Sequence, residues 1–205
     1  MSFNAPEQGF VDELCWRMKA ELRTRMRAQR KRMPAEIRGA RSQAICEAVA
    51  KLDAWASASS VLLYIPMPDE VDVRPLRALA LQQSKRVLAP RIMRNDAREA
   101  TGFEAADWTD DVIQEGFVAS PSPACARVDD VDLVVAPGLA FDLRGARLGY
   151  GKGMYDAFFC GSRALRIGVA FASHVLVEIP EVAHDERVHL LITEDPTLRI
   201  SAPRV

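Results

Sequence analysis

Short runs of aliphatic and β-branched residues recur along this chain, separated by longer stretches with helical patterning. A run that is apolar at every position is typical of a strand buried on both faces of a parallel sheet. Parallel strands need crossover connections, usually helices, so strands and helices should alternate. We therefore predict an α/β fold: a single three-layer domain with a mainly parallel, Rossmann-like doubly wound sheet and N-terminal helices. The predicted strands are residues 61–65, 86–89, 131–136, 166–171 and, last in the chain, 188–193.

Two helices are predicted ahead of the first strand. Apolar residues at a constant spacing of four define a buried stripe on the first helix, which Pro34 ends. Pro34 then opens a second helix that continues to about residue 52. We predict that residues 1–12 form a loose tail and that residues 13–205 make up the domain. The stripe residues are Leu14, Met18, Leu22 and Met26.

These two helices also carry a concentration of positive charge. Between Arg17 and Arg41 there are ten Lys or Arg and two Glu, so this segment has a net charge of +8 although the whole chain carries only −1. Lys19, Arg23 and Arg27 share a spacing of four and should form a second stripe, turned away from the apolar one, that leaves the cations exposed. Such a segment can bind nucleic acid, bind a polyanionic small molecule, or be a solvated helix face.

Further along, helices are predicted at residues 73–83 and 154–160. The pattern is weak between residues 91 and 130, where 102–104 resembles a short strand and the Ser-Pro-Ser-Pro sequence of 120–123 resembles a loop.

Composition indicates a protein of a reducing compartment. Apolar residues make up 49% of the chain and charged residues 27%, and no apolar run approaches the ~20 residues that cross a bilayer. The N-terminus has no secretory pattern. The cysteines are scattered without a C-x-x-C pair, which is typical of free thiols. We therefore expect a cytoplasmic monomer that does not enter a membrane. The cysteines are Cys15, Cys46, Cys125 and Cys160.

The segment most suited to carry function is residues 136–156, which follows a predicted buried strand. Gly149, Gly151 and Gly153 alternate with other residues, so the backbone can bring N–H groups close to a ligand. Arg147 and Lys152 add positive charge to the same loop. This combination favours a phosphate-binding loop over a turn with a purely structural use of glycine.

Two common nucleotide motifs do not fit this loop. A Walker A sequence would need Gly at Ala146 and Ser or Thr at Gly153. A dinucleotide G-x-G-x-x-G sequence starting at Gly151 would need Gly at Asp156. If the loop binds phosphate, it therefore does so without either of these two motifs, and the alternative of a purely structural turn stays open.

Two carboxylates are candidate magnesium ligands. Asp156 follows the glycines, where it could hold Mg²⁺ beside a phosphate or simply cap a helix. Asp185 is its best partner, and the alternative for Asp185 is an exposed turn residue. We interpret His174, His184 and His189 as structural, with His184 near the site, because they do not cluster as zinc ligands do.

The sequence PGLAFDLRGARLGYGKGMYD, residues 137–156, closely resembles the signature of the 5-formyltetrahydrofolate cyclo-ligase family, also called 5,10-methenyltetrahydrofolate synthetases. The resemblance extends from about residue 18 to 194. Residues 19–23, KAELR, look like the family's N-terminal K-x-x-L-R element, and residues 65–70 look like its folate-contacting loop. Pro180 with His184 and Asp185 looks like its closing element.

The resemblance implies an enzyme that uses ATP and Mg²⁺ to convert 5-formyltetrahydrofolate into 5,10-methenyltetrahydrofolate, with release of ADP and phosphate. The formyl oxygen would be phosphorylated before the ring closes. By the same resemblance, Lys152 and Arg147 are catalytic, Asp156 and Asp185 hold the metal, and Ile65, Glu70, Met154 and Tyr155 bind the folate. The implied ATP-binding residues are Lys19, Arg23, Arg147, Gly149, Tyr150, Gly151, Lys152, Gly153 and Tyr155.

Met154 departs from the family pattern, which has an aromatic pair before the aspartate. Methionine is apolar and adaptable enough to fill that space, so we expect altered affinity rather than lost activity. The departure also motivates an alternative, a non-catalytic relative that binds folate or ATP as a sensor. A third hypothesis uses the basic helices as a nucleic-acid arm, but the spacing of Lys19 and Arg23 is already accounted for by nucleotide phosphates.

Overall fold

The computed structural model describes residues 5–115, 118–122, 127–128, 130–198 and 200–201. Its helices are α1 (Ala5–Lys31), α2 (Ala35–Ala50), α3 (Asp53–Ser57), α4 (Arg74–Gln82) and α5 (Met154–Phe159), with 3-10 turns at Ala172–His174 and Pro196–Leu198. Its strands are β1 (Ser60–Leu63), β2 (Arg86–Arg94), β3 (Ala100–Asp107), β4 (Val112–Glu115), β5 (Val118–Pro121), β6 (Arg127–Val128), β7 (Leu133–Ala136), β8 (Ala140–Asp142), β9 (Arg147–Leu148), β10 (Leu165–Val169), β11 (Val175–Leu176), β12 (Leu190–Ile192) and β13 (Ile200–Ser201).

An eight-stranded sheet forms the centre, in the order β13-β12-β10-β7-β1-β2-β3-β6. The five strands from β12 to β2 run parallel, whereas β13, β3 and β6 pair antiparallel at the two edges. Leu62 of β1 lies between Leu88 and Val134 of its neighbours. Every residue of β7 is buried, as its uninterrupted apolar run requires. The predicted α/β class with a mainly parallel sheet is confirmed.

Helices cover both faces of this sheet. On one face α2, α3 and α4 pack against the strands through residues such as Ile45, Trp55 and Leu76, which are at most 1% exposed. On the other face α5 contributes Phe159, which packs on Leu62 and Leu88. Since the sheet is covered on both sides, its central strands have no polar face. Among the described residues, no helix combines the length and apolar character needed to span a membrane.

Helix α1 packs differently from the sequence-based prediction. Met26 of the predicted apolar stripe is fully buried, but Leu14 is 49% and Met18 46% exposed. Lys19, predicted to be exposed, is 4% exposed and forms an ion pair with Asp185. The inward face of α1 is therefore set as much by its cations as by its apolar residues, and the prediction of freely exposed cations was wrong for Lys19.

Other element boundaries also differ from the predictions. Strand β2 continues through Pro90, which is tolerated because the pairing of β2 with β1 ends at Leu88 and Pro90 pairs only with β3. Ser120 and Pro121 belong to β5 rather than to a loop, whereas Pro123 lies outside the described residues. Strand β13 follows the strand predicted to be last. Helix α1 includes residues 5–12 of the predicted tail, and residues 1–4 lie outside the described ranges.

A small three-stranded sheet, in the order β11-β8-β9, carries the glycine-rich segment. It sits close to the large sheet because Phe141 of β8, which is fully buried, packs over Gly168 of β10. A Cβ atom at Gly168 would lie only 2.5 Å from the Phe141 ring. Glycine at this position therefore permits the docking of one sheet on the other.

We expect Gly168→Ala to lower the free energy of unfolding by about 1–3 kcal/mol, since the added methyl group would overpack a rigid core. Urea denaturation measures this loss. Gly161→Ala is the matched control because a Cβ there would meet nothing within 4 Å. Equal stability of the two variants would contradict the proposed role of Gly168 in docking.

Candidate functional site

The candidate site lies beyond the carboxyl ends of the parallel strands, where ligands bind in such sheets. The chain leaves β1 toward Glu70 and leaves β7 at Pro137, and the glycine loop, residues 149–153, connects β9 to α5. Two adjoining cavities open at this edge. We refer to them as the loop cleft and the apolar pocket.

The loop cleft has a volume of about 120 Å³ and is formed by α1, the glycine loop, the start of α5 and the segment before β12. It brings together every residue predicted to bind ATP or Mg²⁺, although these residues come from distant parts of the sequence. Its lining residues are Trp16, Lys19, Arg23, Pro137, Arg147, Gly149, Tyr150, Gly151, Lys152, Gly153, Met154, Tyr155, Asp156, His184 and Asp185.

The apolar pocket, of about 130 Å³, contains all four residues predicted to bind folate. It shares a wall with the loop cleft, made of Pro137, Tyr150, Met154 and Tyr155. A ligand in one cavity is therefore close to a ligand in the other. The pocket is lined by Tyr64, Ile65, Met67, Glu70, Pro90, Ile92, Phe103, Ala119, Pro137, Tyr150, Met154 and Tyr155.

Two glycines of the loop adopt conformations that other residues rarely take. Gly151 has φ +101° and Gly153, which precedes α5, has φ +63°. The loop is held from α1, because Arg23 Nε donates a hydrogen bond to the Gly149 carbonyl at 3.0 Å. A Cβ at Gly151 would lie 3.4 Å from the Arg23 guanidinium. The basic helix and the glycine loop thus form one wall of the cleft.

Both predicted metal ligands are paired with cations. Arg147 Nη2 lies 2.9 Å from Asp156 Oδ1, and Lys19 pairs with Asp185 Oδ2. The backbone also donates to these carboxylates, from Glu186 to Asp156 at 3.3 Å and from Val182 to Asp185 at 2.7 Å. In the described part of the chain, His, Cys, Asp and Glu side chains do not form a cluster of three or more suited to a metal.

Lys152 differs from the other cations of the cleft. Its side chain is exposed, and within the described ranges no hydrogen bond or ion pair engages its ammonium group. The side chain of Arg147, in contrast, is only 5% exposed, and its guanidinium lies 5.2 Å from the centre of the Tyr155 ring. Lys152 can therefore move toward an anion, whereas Arg147 is held in place.

Glu70 lines the apolar pocket and is 4% exposed. Its Oε1 atom accepts a hydrogen bond from Tyr150 Oη at 3.0 Å, and its Oε2 atom accepts one from Met67 N at 3.0 Å. Arg30 Nη1 lies 3.8 Å from the same Oε1 atom. Burial raises the pKa of the Glu70 carboxyl, and the Met67 N–H, Arg30 and Tyr150 act in the opposite direction.

The structure adds residues that the sequence prediction missed. Trp16 lines the cleft and its ring centre lies 5.8 Å from that of His184. Arg30 is 4% exposed and contacts both Glu70 and Tyr150. Helical spacing could have identified both, because Trp16 precedes Lys19 by three residues and Arg30 follows Arg23 by seven. His184, which the sequence analysis placed near the site, lines the loop cleft.

His174 lies near this network, in the 3-10 turn after β10, and is 1% exposed. Its Nε2 atom has no hydrogen-bond partner among the described residues. Burial, and secondarily the positive charge of Arg30, lowers its pKa from 6.5 to about 4. His174 is therefore neutral in the folded protein at neutral pH.

This shift predicts a loss of stability in acid. Between pH 6.5 and about 4 the unfolded chain binds a proton at His174 and the folded protein does not, so the free energy of unfolding falls as the pH falls. In His174→Gln, the decrease between pH ~7 and ~4.5 should be smaller by about 2 kcal/mol than in the wild type. Urea denaturation at both pH values measures the difference, and identical decreases would contradict the assignment.

Comparisons with known proteins give consistent results. The model of the 5-formyltetrahydrofolate cyclo-ligase family matches residues 16–194. A probable 5-formyltetrahydrofolate cyclo-ligase of Schizosaccharomyces pombe is 28% identical over 200 residues, which cover 88% of this chain and 97% of that protein. The 5-formyltetrahydrofolate cyclo-ligase of Mycolicibacterium smegmatis is 29% identical over 188 residues, with coverage of 86% and 94%.

Two solved structures are similar in fold. The NMR structure of Aquifex aeolicus 5,10-methenyltetrahydrofolate synthetase has a TM-score of 0.78 at 28% identity and covers 92% of this chain and 94% of that one. A 5,10-methenyltetrahydrofolate synthetase from Mycoplasma pneumoniae has a TM-score of 0.71 at 19% identity, with coverage of 86% and 99%, and supports the fold alone.

Proposed function

The chain belongs to the 5-formyltetrahydrofolate cyclo-ligase family, and from this premise we propose that it converts 5-formyltetrahydrofolate into 5,10-methenyltetrahydrofolate at the expense of ATP. The observation that carries the proposal is the shared wall between the two cavities. One cavity has cations around a glycine loop, and the other is apolar with a single buried carboxylate. Such a pair suits a nucleotide beside a heterocyclic substrate.

The loop cleft suits the nucleotide phosphates. Backbone N–H groups of the glycine loop can approach phosphate oxygens closely, and Lys152, Arg147, Lys19 and Arg23 bring positive charge around them. Phosphoryl transfer depends chiefly on positioning and charge neutralisation, which these groups can provide. The exposed ammonium group of Lys152 is the group best placed to follow the transferred phosphoryl group.

The carboxylates of the cleft fit a magnesium ion shared with phosphate oxygens, because protein sites for Mg²⁺ commonly supply one or two carboxylates. Asp156 and Asp185 would hold it. The ion would supply neutralisation of phosphate charge. The ion pairs with Arg147 and Lys19 hold these carboxylates in position at the cleft.

The apolar pocket suits the reduced pterin ring. Ile65, Met154 and Tyr155 offer apolar and aromatic surface, and an ionised Glu70 can accept paired N–H donors in charge-assisted hydrogen bonds. The amide-like formyl group is a poor electrophile. In the proposed reaction its oxygen takes the γ-phosphoryl group and ADP leaves, after which the neighbouring folate nitrogen attacks the formyl carbon and phosphate departs.

The test is a turnover assay with the purified protein, 5-formyltetrahydrofolate, ATP and Mg²⁺. We expect the absorbance of 5,10-methenyltetrahydrofolate to increase, with one ADP formed for each product molecule. Reactions without ATP and without Mg²⁺ are the controls. Folded protein that binds the folate or ATP without turnover would instead support the sensor hypothesis, and folded protein with neither binding nor turnover would reject both.

We also propose that the protein acts as a cytoplasmic monomer on small molecules and not on nucleic acid. Cys15, Cys46 and Cys160 are free thiols, which suits a reducing compartment. Lys19 is already buried against Asp185, which removes one cation from any nucleic-acid surface. Size-exclusion chromatography tests the oligomeric state, and steeply salt-dependent binding to RNA or DNA would contradict the second statement.

A further inference from the structure

Arg30 is a buried cation in the last turn of α1. Its side chain is 5% exposed and reaches away from its helix toward the boundary of the two cavities. Nη1 donates a hydrogen bond to Tyr150 Oη at 2.8 Å and lies 3.8 Å from Glu70 Oε1. Nη2 donates to the Gly138 carbonyl, in the segment that follows β7. One side chain thus connects α1, the glycine loop and the loop that carries Glu70.

The side chains of Arg30, Tyr150 and Glu70 each contact the other two. Tyr150 Oη donates to Glu70 Oε1 at 3.0 Å while it accepts from Arg30. Removal of a guanidinium from water is costly unless its charge is compensated, and Glu70, itself 4% exposed, is the carboxylate that compensates it. A purely structural anchor for α1 would need only the bond to Gly138.

We propose that Arg30 is a positioning residue that holds the Glu70 carboxylate and the Tyr150 hydroxyl in the arrangement that receives the pterin ring. The inference rests on the proposed function, in which Glu70 accepts N–H donors of the pterin. Arg30 itself does not line either cavity. It acts through the two residues that do.

The electrostatic surroundings of Glu70 make Arg30 important for its charge. Four other groups influence Glu70 or are influenced by it: Tyr64 directly after β1, Tyr150 from the glycine loop, Tyr155 from α5 and Asp69 from its own loop. Asp69 raises the pKa of Glu70, as burial does, whereas Arg30 lowers it. Among these groups, Arg30 is the cation.

Loss of Arg30 should therefore raise the pKa of Glu70 and leave more of the carboxyl protonated at a given pH. A protonated carboxyl cannot accept two N–H donors. We therefore expect the folate KM to rise as the pH falls through the pKa of Glu70, and this rise should begin at a higher pH in an Arg30 variant. A packing defect that leaves the pKa of Glu70 unchanged would instead change the folate KM by the same factor at all pH values.

The experiment compares the pH dependence of the folate KM and of kcat in wild type, Arg30→Met, Arg30→Lys and a control variant. The control is Arg32→Met, which replaces an exposed arginine in the turn directly after α1. At neutral pH, Arg30→Met should raise the folate KM by at least about tenfold and lower kcat by less than about threefold. Its KM profile should be displaced to higher pH. Arg30→Lys, which keeps a cation, should restore most of the wild-type profile, and Arg32→Met should match the wild type.

A KM profile of Arg30→Met that keeps the wild-type pH dependence would overturn the inference, as would a fall in kcat with an unchanged KM. Titration of the folate without ATP, by calorimetry, separates this failure from that of the proposed function. If wild type neither binds the folate nor turns it over, the proposed function is rejected. If wild type is active and binding by Arg30→Met keeps the wild-type pH dependence, only the inference is rejected.

A stability measurement keeps the test decisive if Arg30→Met folds poorly. Because the inference makes Arg30 and Glu70 counter-ions, Arg30→Met combined with Glu70→Gln should be destabilised by less than the sum of the two single variants. If Arg30→Met does not fold alone, the double variant should recover folding. Additive destabilisation, or a double variant that also fails to fold, would overturn the inference.

Discussion

Lys152→Ala is expected to lower kcat by about 10²–10³ while the protein remains folded. Lys152 lines the loop cleft, and its ammonium group makes no hydrogen bond or ion pair within the described ranges, so the fold does not depend on it. In the proposed reaction this group neutralises charge that develops on the transferred phosphoryl group, and alanine removes that charge without altering the backbone. The free energy of unfolding should change by less than about 0.5 kcal/mol.

The measurement is steady-state turnover with ATP and the folate varied in turn, together with urea denaturation. The KM for ATP should rise with the loss of kcat, and the KM for the folate should change little. Lys51→Ala is the control, because Lys51 is an exposed lysine at the end of α2 that does not line either cavity. Turnover of Lys152→Ala at the wild-type rate would remove Lys152 from the proposed mechanism.

Glu70→Gln should act on the folate rather than on ATP, with a decrease of about 100-fold in kcat/KM for the folate. Truncation of one partner of a buried, charged hydrogen bond commonly costs 2–5 kcal/mol, and ~1.4 kcal/mol corresponds to a factor of ten. The amide has one oxygen and an NH₂ group where the carboxylate has two acceptors, so it cannot pair with two N–H donors. Most of the decrease should therefore appear in the KM for the folate.

Kinetics with the folate varied at saturating ATP measure this effect, and the KM for ATP should stay near the wild-type value. Glu47→Gln, an equivalent change on the exposed face of α2, controls for the loss of a carboxylate elsewhere. Glu70→Gln also leaves Arg30 without its counter-ion, so some loss of stability is expected and should be measured in parallel. A folate KM equal to that of wild type would show that Glu70 does not contact the pterin.

The central strands are the elements that the sequence predicts best. The run 133–136 is apolar at every position, and burial on both faces of a parallel sheet imposes that pattern directly. The edge strands were harder to predict. A local pattern predicts that a strand ends before a proline. Pro121 is nevertheless the last residue of β5, in a two-stranded sheet, and Pro90 lies in β2 beyond its pairing with β1, where proline is tolerated.

The orientation of α1 could not be predicted for a related reason. A stripe of Leu14 and Met18 indicates which residues prefer burial, but it does not account for an acidic partner elsewhere in the chain. Asp185, 166 residues away, draws Lys19 inward, and Leu14 and Met18 remain about half exposed as a result. Long-range ion pairing overrode the local apolar pattern.

The sequence by itself determined the class of fold, the glycine loop with its cations, and the family, because each depends on residues that are adjacent or regularly spaced. Tertiary structure decided how these parts meet: that Arg23 supports the Gly149 carbonyl, that Lys19 and Asp185 pair, and that Tyr150 joins the two cavities. It also revealed Arg30 behind Glu70. Contacts between residues far apart in sequence arise from the packing of α1 against the sheet edge, and no local pattern specifies them.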